Sequence, residues 1–112
     1  MKQLEHDEIK LRLGDMLFTW DDEKEKINIQ KHGLDFRTAA LVFLDEDAVL
    51  EENSVDEYTG EERMDAIGSI GLHLLLFIVY VDRITAEDND IIRIISARRA
   101  VRKEMRRYVN GA

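Results

Sequence analysis

The chain contains no cysteine and no proline. Without cysteine it has neither a disulfide scaffold nor a thiolate metal site. No Pro-rich linker, internal repeat or low-complexity tract divides it, and 112 residues suffice for one two-layer core. Long apolar runs are missing as well. The most apolar stretch, Leu72 to Val81, interrupted by His73, is too short to cross a bilayer as a helix and suits a buried strand. Met1 to Asp15 is polar and acidic and lacks the apolar centre of a signal peptide. The three histidines, His6, His32 and His73, have no metal-ligand spacing, and no P-loop, GxGxxG or HExxH motif occurs. These absences predict a cytoplasmic domain with no membrane contact, no metal and no cofactor.

What the chain has in excess is charge, and it is sorted. Charged residues make up 36% of the sequence and the formal net charge is −8. From Ile91 to Ala112 the net is +6, carried by Arg93, Arg98, Arg99, Arg102, Lys103, Arg106 and Arg107 against Glu104 alone, so the first 90 residues hold −14. A solvated helix face is the ordinary meaning of a basic run. Segregation of this size points instead to a patch that meets phosphates.

Periodicity gives the element order β-α-α-β-β-β-β-α. Leu17 to Trp20 reads as a short strand. Asp22 as N-cap with Glu25 three residues on begins a helix over Glu23–His32, which Gly33 stops. Asp35 caps a second helix, Phe36–Leu44, with Phe36, Ala39, Ala40 and Phe43 as its apolar stripe. Strands follow at Ala48–Glu52, Arg63–Ser69, Leu72–Val81 and Ile91–Ser96, separated by acidic loops at Asn53–Glu62 and Asp82–Asp90 and by a turn at Gly68–Gly71. From Arg98 the period becomes helical, with Ala97, Val101, Met105 and Tyr108 recurring and Asn110-Gly111 as the stop. The fold expected is α+β in two layers: an antiparallel meander, two N-terminal helices on one face and a C-terminal helix. Residues 1–15, which fit neither period, are read as an extension, and 16–112 as one domain.

The chemistry left after these exclusions is metal-free: His32, several arginines, Tyr80 and Tyr108. Such a set suits cleavage of RNA, where the 2′-OH is an internal nucleophile and the protein supplies a base, an acid and cations for the phosphorane charge. Histidine titrates near neutrality and arginine grips phosphate with two hydrogen bonds. The plainer alternatives are C-capping for His32, core filling for Trp20 and core contact for Tyr108.

Trp20-Asp-Asp-Glu-Lys24, Asn28-Ile-Gln-Lys-His-Gly-Leu-Asp-Phe36, Ala39-Ala40, Val42-Phe43, Glu61-Glu-Arg63, Ile67-Gly68, Arg93-Ile-Ile-Ser-Ala-Arg-Arg-Ala100, Glu104 and Arg106-Arg-Tyr108 run in order along the chain. In this set the sequence resembles the BrnT family from about Leu17 to Tyr108, departing from it in the N-terminal extension and the acidic loops. The resemblance implies a RelE-like ribonuclease toxin of a type II toxin–antitoxin pair, neutralised by a BrnA-type antitoxin. It also implies that the complex represses its own operon, the antitoxin touching operator DNA. Functional weight falls on Lys31, His32, Arg63, Arg93, Arg98 and Tyr108.

The expectation is therefore an endoribonuclease that inhibits translation. In it His32 is the acid or base, with Tyr108, Tyr80 and Lys31 as substitutes. Arg63, Arg93 and Arg98 clamp the phosphate, and Lys31, Arg99, Arg102 and Arg106 hold RNA. The rival reading is a non-catalytic module that serves only as partner of a DNA-binding antitoxin.

Overall fold

The computed structural model describes residues 8–71, 74–84 and 90–111. Six strands form one sheet in the order β1-β2-β6-β5-β4-β3: β1 (Leu11–Leu13), β2 (Met16–Trp20), β3 (Val49–Val55), β4 (Glu62–Ser69), β5 (Leu75–Ile84) and β6 (Asp90–Arg99). The helices are α1 (Asp22–His32), α2 (Phe36–Ala39), which tightens into a 3₁₀ segment over Ala40–Leu44, and α3 (Arg102–Asn110). No helix among the described residues is long and apolar enough to cross a membrane.

The expected meander is present as β3 to β6, each strand antiparallel to the next. The sheet as a whole is mixed, which corrects the purely antiparallel expectation: β2 lies parallel to β6, with Leu17 opposite Ile91 and Trp20 opposite Ile94. Leu17, Phe18, Thr19 and Trp20 are all buried. Along one edge of this strand runs β6. Along the other runs β1, whose Leu11 and Arg12 pair with Phe18 and Leu17. A boundary at Met16 thus falls inside a hairpin, and part of the stretch read as an extension belongs to the sheet.

Strand alternation sends Phe18, Trp20, Ala66, Leu76, Ile78, Tyr80, Ile92 and Ile94 to one face. Phe36, Ala39, Ala40 and Val42 of α2 and its 3₁₀ extension cover that face. Phe43 stacks edge-on to Tyr80 at 5.0 Å and lies 5.5 Å from Phe18. A Cβ on Gly68 would come within 2.7 Å of Val42 Cγ1, so only glycine lets the 3₁₀ segment lie this close to β4. On the opposite face Val49, Ile67, Phe77 and Val79 pack with Tyr108 of α3. The C-terminal helix therefore makes a partial third layer.

Several boundaries move: β3 runs on to Val55, Gly68 belongs to β4 rather than to a turn, and β5 reaches Ile84. Two further shifts bear on how the helices are held. Asp21, not Asp22, caps α1 by accepting from the Lys24 N–H at 3.0 Å. Glu25 is thereby released to accept from Trp20 Nε1 (3.2 Å) and the Phe36 N–H (2.9 Å), tying β2 to both helices. At the other end, residues 97 to 99 are strand rather than helix. The buried Asn28 accepts from the Ala97 N–H (3.0 Å) and donates to its carbonyl (2.9 Å), holding the backbone extended. Val79 faces Ser96 and Tyr80 faces Ile94, so Ile95 is the extra residue of a bulge.

Candidate functional site

Beyond α3 the second sheet face is open, and there the arginines gather. Arg93 on β6 lies between Val81 on β5 and Thr19 on β2. Arg83, two residues past Val81 and so on the same face, is opposite Ile91. Arg63 on β4 is opposite Ser54. These three arginines, with Lys10, Lys24, Thr19 and Trp20, line a cleft of about 520 Å³. Its rim carries Glu8, Asp21, Asp22 and Glu61.

Two of these cations, Arg83 and Lys10, are held by neighbouring carboxylates. Arg83 Nη2 donates to Glu61 Oε2 at 2.8 Å. Lys10 Nζ donates to Asp22 Oδ1 at 2.6 Å and lies 3.6 Å from Glu8, and the hydrogen bond to Asp22 raises its pKa. Thr19 Oγ1 donates to the Glu8 carbonyl at 2.6 Å, fixing the chain at the cleft's edge. Arg63 differs. Its Nε is buried without a hydrogen-bond partner among the described residues.

Arg98 sits elsewhere. It is on β6, not on a helical ridge with Arg102 and Arg106, and its guanidinium lies 4.4 Å over the Phe77 ring. Nη1 and Nη2 donate to the two oxygens of buried Glu104 at 2.9 and 2.7 Å. Glu104 also accepts the Val101 N–H at 2.9 Å, which caps α3. Burial is the largest influence on this carboxyl and would raise its pKa, but the bonds from Arg98 and Val101 outweigh it and hold it low. The pair fastens α3 to the sheet beside Asp65, which Asn53 holds at 2.6 Å and whose pKa burial raises.

Tyr108 is also engaged. Its hydroxyl donates to Asp45 Oδ2 at 2.7 Å, and that bond pushes the phenol up to about 12. Burial, the largest influence on Asp45, would raise its pKa. The Ser69 N–H, Tyr108 and the Asp47 N–H overcome burial and lower it. Tyr80 lies in the core under Phe43, where desolvation takes it to about 12. Neither phenol is placed to give up a proton near neutrality.

The expected residues thus separate. Arg63 and Arg93 share the cleft. Asp22 and Lys24, at the start of α1, line that cleft, whereas Lys31 and His32 end the same helix. At 1.5 Å per residue His32 stands about 15 Å further along α1. Both residues are exposed, as are Arg99, Arg102 and Arg106, and none of the five forms an ion pair among the described residues. His6 and His73 lie outside the described residues. No group of three or more His, Asp or Glu among the described residues is arranged to hold a metal ion.

Arg83, Thr19 and Lys10 carry no motif that marks them. Arg83 falls in the expected Asp82–Asp90 loop, although the alternation Val79, Val81, Arg83 continues the strand onto one face. Lys10 fell in the stretch read as an extension, and Thr19 carries no signal of its own.

A model of the family described as "Ribonuclease toxin, BrnT, of type II toxin-antitoxin system" matches residues 20–104. Among solved structures, the chain is similar to the 1.1 Å crystal structure of the Brucella abortus ribonuclease toxin BrnT. The two are 22% identical, the likeness covers 74% of this chain and 94% of that one, and the TM-score is 0.49. No curated protein sequence matches at a significant level.

Proposed function

The chain belongs to the BrnT family of ribonuclease toxins of type II toxin–antitoxin systems, and from that premise we propose that it cuts RNA without a metal, on a RelE-like layout of sheet and helices. The observation that carries the assignment of the site is the convergence of Arg63, Arg83 and Arg93, from three neighbouring strands, on one cleft. Three guanidiniums around one phosphate favour the extra negative charge of the phosphorane, and arginine's fork suits the non-bridging oxygens.

In this reading the 2′-oxygen bonds to phosphorus as the bond to the 5′-oxygen breaks. The products are a 2′,3′-cyclic phosphate and a 5′-hydroxyl. Glu61, held beside the cleft by Arg83, takes the 2′ proton, and the leaving oxygen is protonated by water. His32, about 15 Å down α1, is assigned to the helix C-terminus, where a cationic residue is favoured. Arg98 acts through α3 as a positioning residue, and Arg102 and Arg106 follow the flanking phosphates. The cellular consequence is arrest of translation in the cytoplasm, relieved by a BrnA-type antitoxin whose complex with the toxin reaches operator DNA through the antitoxin.

Cleavage of a short RNA by the purified protein tests this directly. Activity should persist in EDTA. Arg63→Ala and Arg93→Ala should each lower kcat by about 100-fold or more, and Glu61→Gln should fall comparably. His32→Ala should stay near wild type. A folded Arg63→Ala/Arg93→Ala protein that cleaves normally would move the site out of the cleft, and a wild-type protein that binds RNA without cutting it would favour the non-catalytic module.

A further inference from the structure

α3 is amphipathic the wrong way round for a helix that serves only its own core. Its buried residue is the acid Glu104, with Arg107 and Tyr108 partly covered. Its apolar side chains face out: Val101 is 48% exposed, Met105 44% and Val109 79%. They stand at i, i+4 and i+8, in one row along the helix. The other exposed positions of the helix are Arg102, Lys103, Arg106 and Asn110. Arg107 is taken by Glu51 on β3 and Arg98 by Glu104, so the helix is anchored from beneath by charge. Its apolar groups are left for something else.

Two occupants fit poorly. RNA would satisfy the arginines but not an aliphatic row, because bases stack on aromatic rings and guanidinium planes. A second copy related by a twofold axis through α3 would set Arg102, Lys103 and Arg106 against their own images, like charge on like charge. What complements an aliphatic row bordered by three cations is a protein segment with an aliphatic row bordered by carboxylates.

We propose that the outer face of α3 is the docking site for an acidic amphipathic segment of the antitoxin. This rests on the toxin reading above and adds to it the surface and the chemistry of the partner. Met105 and Val109 supply the apolar contact, and Arg102, Lys103 and Arg106 steer and orient the carboxylates. The same arginines serve RNA in the free toxin. The bound segment therefore excludes RNA from α3 by standing where its phosphates would run.

The test uses the full chain and its cognate antitoxin, purified separately, with Kd measured by calorimetry and RNA cleavage assayed on the toxin alone. Met105→Gln/Val109→Gln should weaken antitoxin binding by about 30-fold or more, the loss typical of removing a central anchor. RNA cleavage should be unchanged, since neither residue belongs to the RNA site. Arg102→Ala/Arg106→Ala should slow association and flatten its salt dependence. Antitoxin affinity unchanged in Met105→Gln/Val109→Gln would overturn the proposal. So would loss of RNA binding in that variant, or wild-type self-association that it abolishes. A wild-type protein that cuts RNA yet binds no antitoxin would also sink it while leaving the nuclease reading intact.

Discussion

Arg98 shows what a single side chain's surroundings can do to its apparent role. A basic residue in a cationic run reads as a phosphate ligand until its partner is seen. Here Glu104 takes both ends of its guanidinium fork, and the same carboxylate caps α3. Removing Arg98 alone leaves Glu104 buried and uncompensated. Arg98→Ala should therefore cost about 2–3 kcal/mol, less than a fully buried pair because the arginine side chain is 36% exposed. Replacing both partners with apolar residues of similar size, as in Arg98→Met/Glu104→Leu, should recover part of that loss, short by the α3 cap that Glu104 also provides. If Arg98 only fastens α3, cleavage should return together with stability, read from urea unfolding and the RNA assay. A double variant that is stable but inactive would restore Arg98 to the phosphate. The pair also carries a pH signature. Glu104 has its folded pKa below its unfolded value, so its contribution is complete above the unfolded pKa and is lost as pH falls through the folded one. That acid-side loss should be absent from the double variant.

Among the elements, β1 is the one whose importance the sequence conceals. Leu11, Arg12 and Leu13 show no clear period because a three-residue edge strand has room for barely one alternation. Its contribution is visible only in what it touches. Lys10 donates its N–H to the Phe18 carbonyl, Thr19 holds the Glu8 carbonyl, and Leu11 and Leu13 pack against the main core. A chain beginning at Met16 should lose about 2–4 kcal/mol, from two partly buried leucines and a few hydrogen bonds. In thermal denaturation this is a fall in Tm on the order of 10 °C. A truncated protein that melts with the full chain would return residues 8–15 to the status of an appendage. The meander and α1 were legible because caps, Gly33 and long alternation are local signals. The parallel β2–β6 pairing was not, since it depends on which edge is free once the meander is complete. The start of α3 was missed for a similar reason: Asn28, 69 residues away in sequence, decides that Ala97 is extended. The site followed the same divide. Arg63 and Arg93 were marked by the family resemblance, whereas Arg83 and Lys10 became visible only when the register put them on the same face.

At the scale of the whole molecule the proposed function requires a protein of net charge −8 to hold a polyanion. Beyond a Debye length of about 10 Å at 0.1 M salt the acidic body is screened, so RNA responds to what lies within that distance. Within it are the cleft arginines and the exposed ridge of α3, while Glu61, Asp22 and Glu104 are each already bound to a cation. Affinity should then come almost wholly from released counterions. With four or five phosphates contacted by Arg63, Arg93, Arg102, Arg106 and a part-neutralised Arg83, the slope of log affinity against log salt should be about −3 for single-stranded RNA. Fluorescence anisotropy with a 2′-O-methyl RNA, which cannot be cut, measures this without turnover. Arg102→Ala/Arg106→Ala should bring the slope up by about 1.4, two contacts' worth, and leave cleavage of bound RNA near wild type. At very low salt, where screening fails, the acidic body should begin to repel RNA, and the log–log line should bend below its extrapolation. A slope near zero would mean that the arginines of the cleft and of α3 do not meet phosphate, and the electrostatic basis of the site would be lost with it.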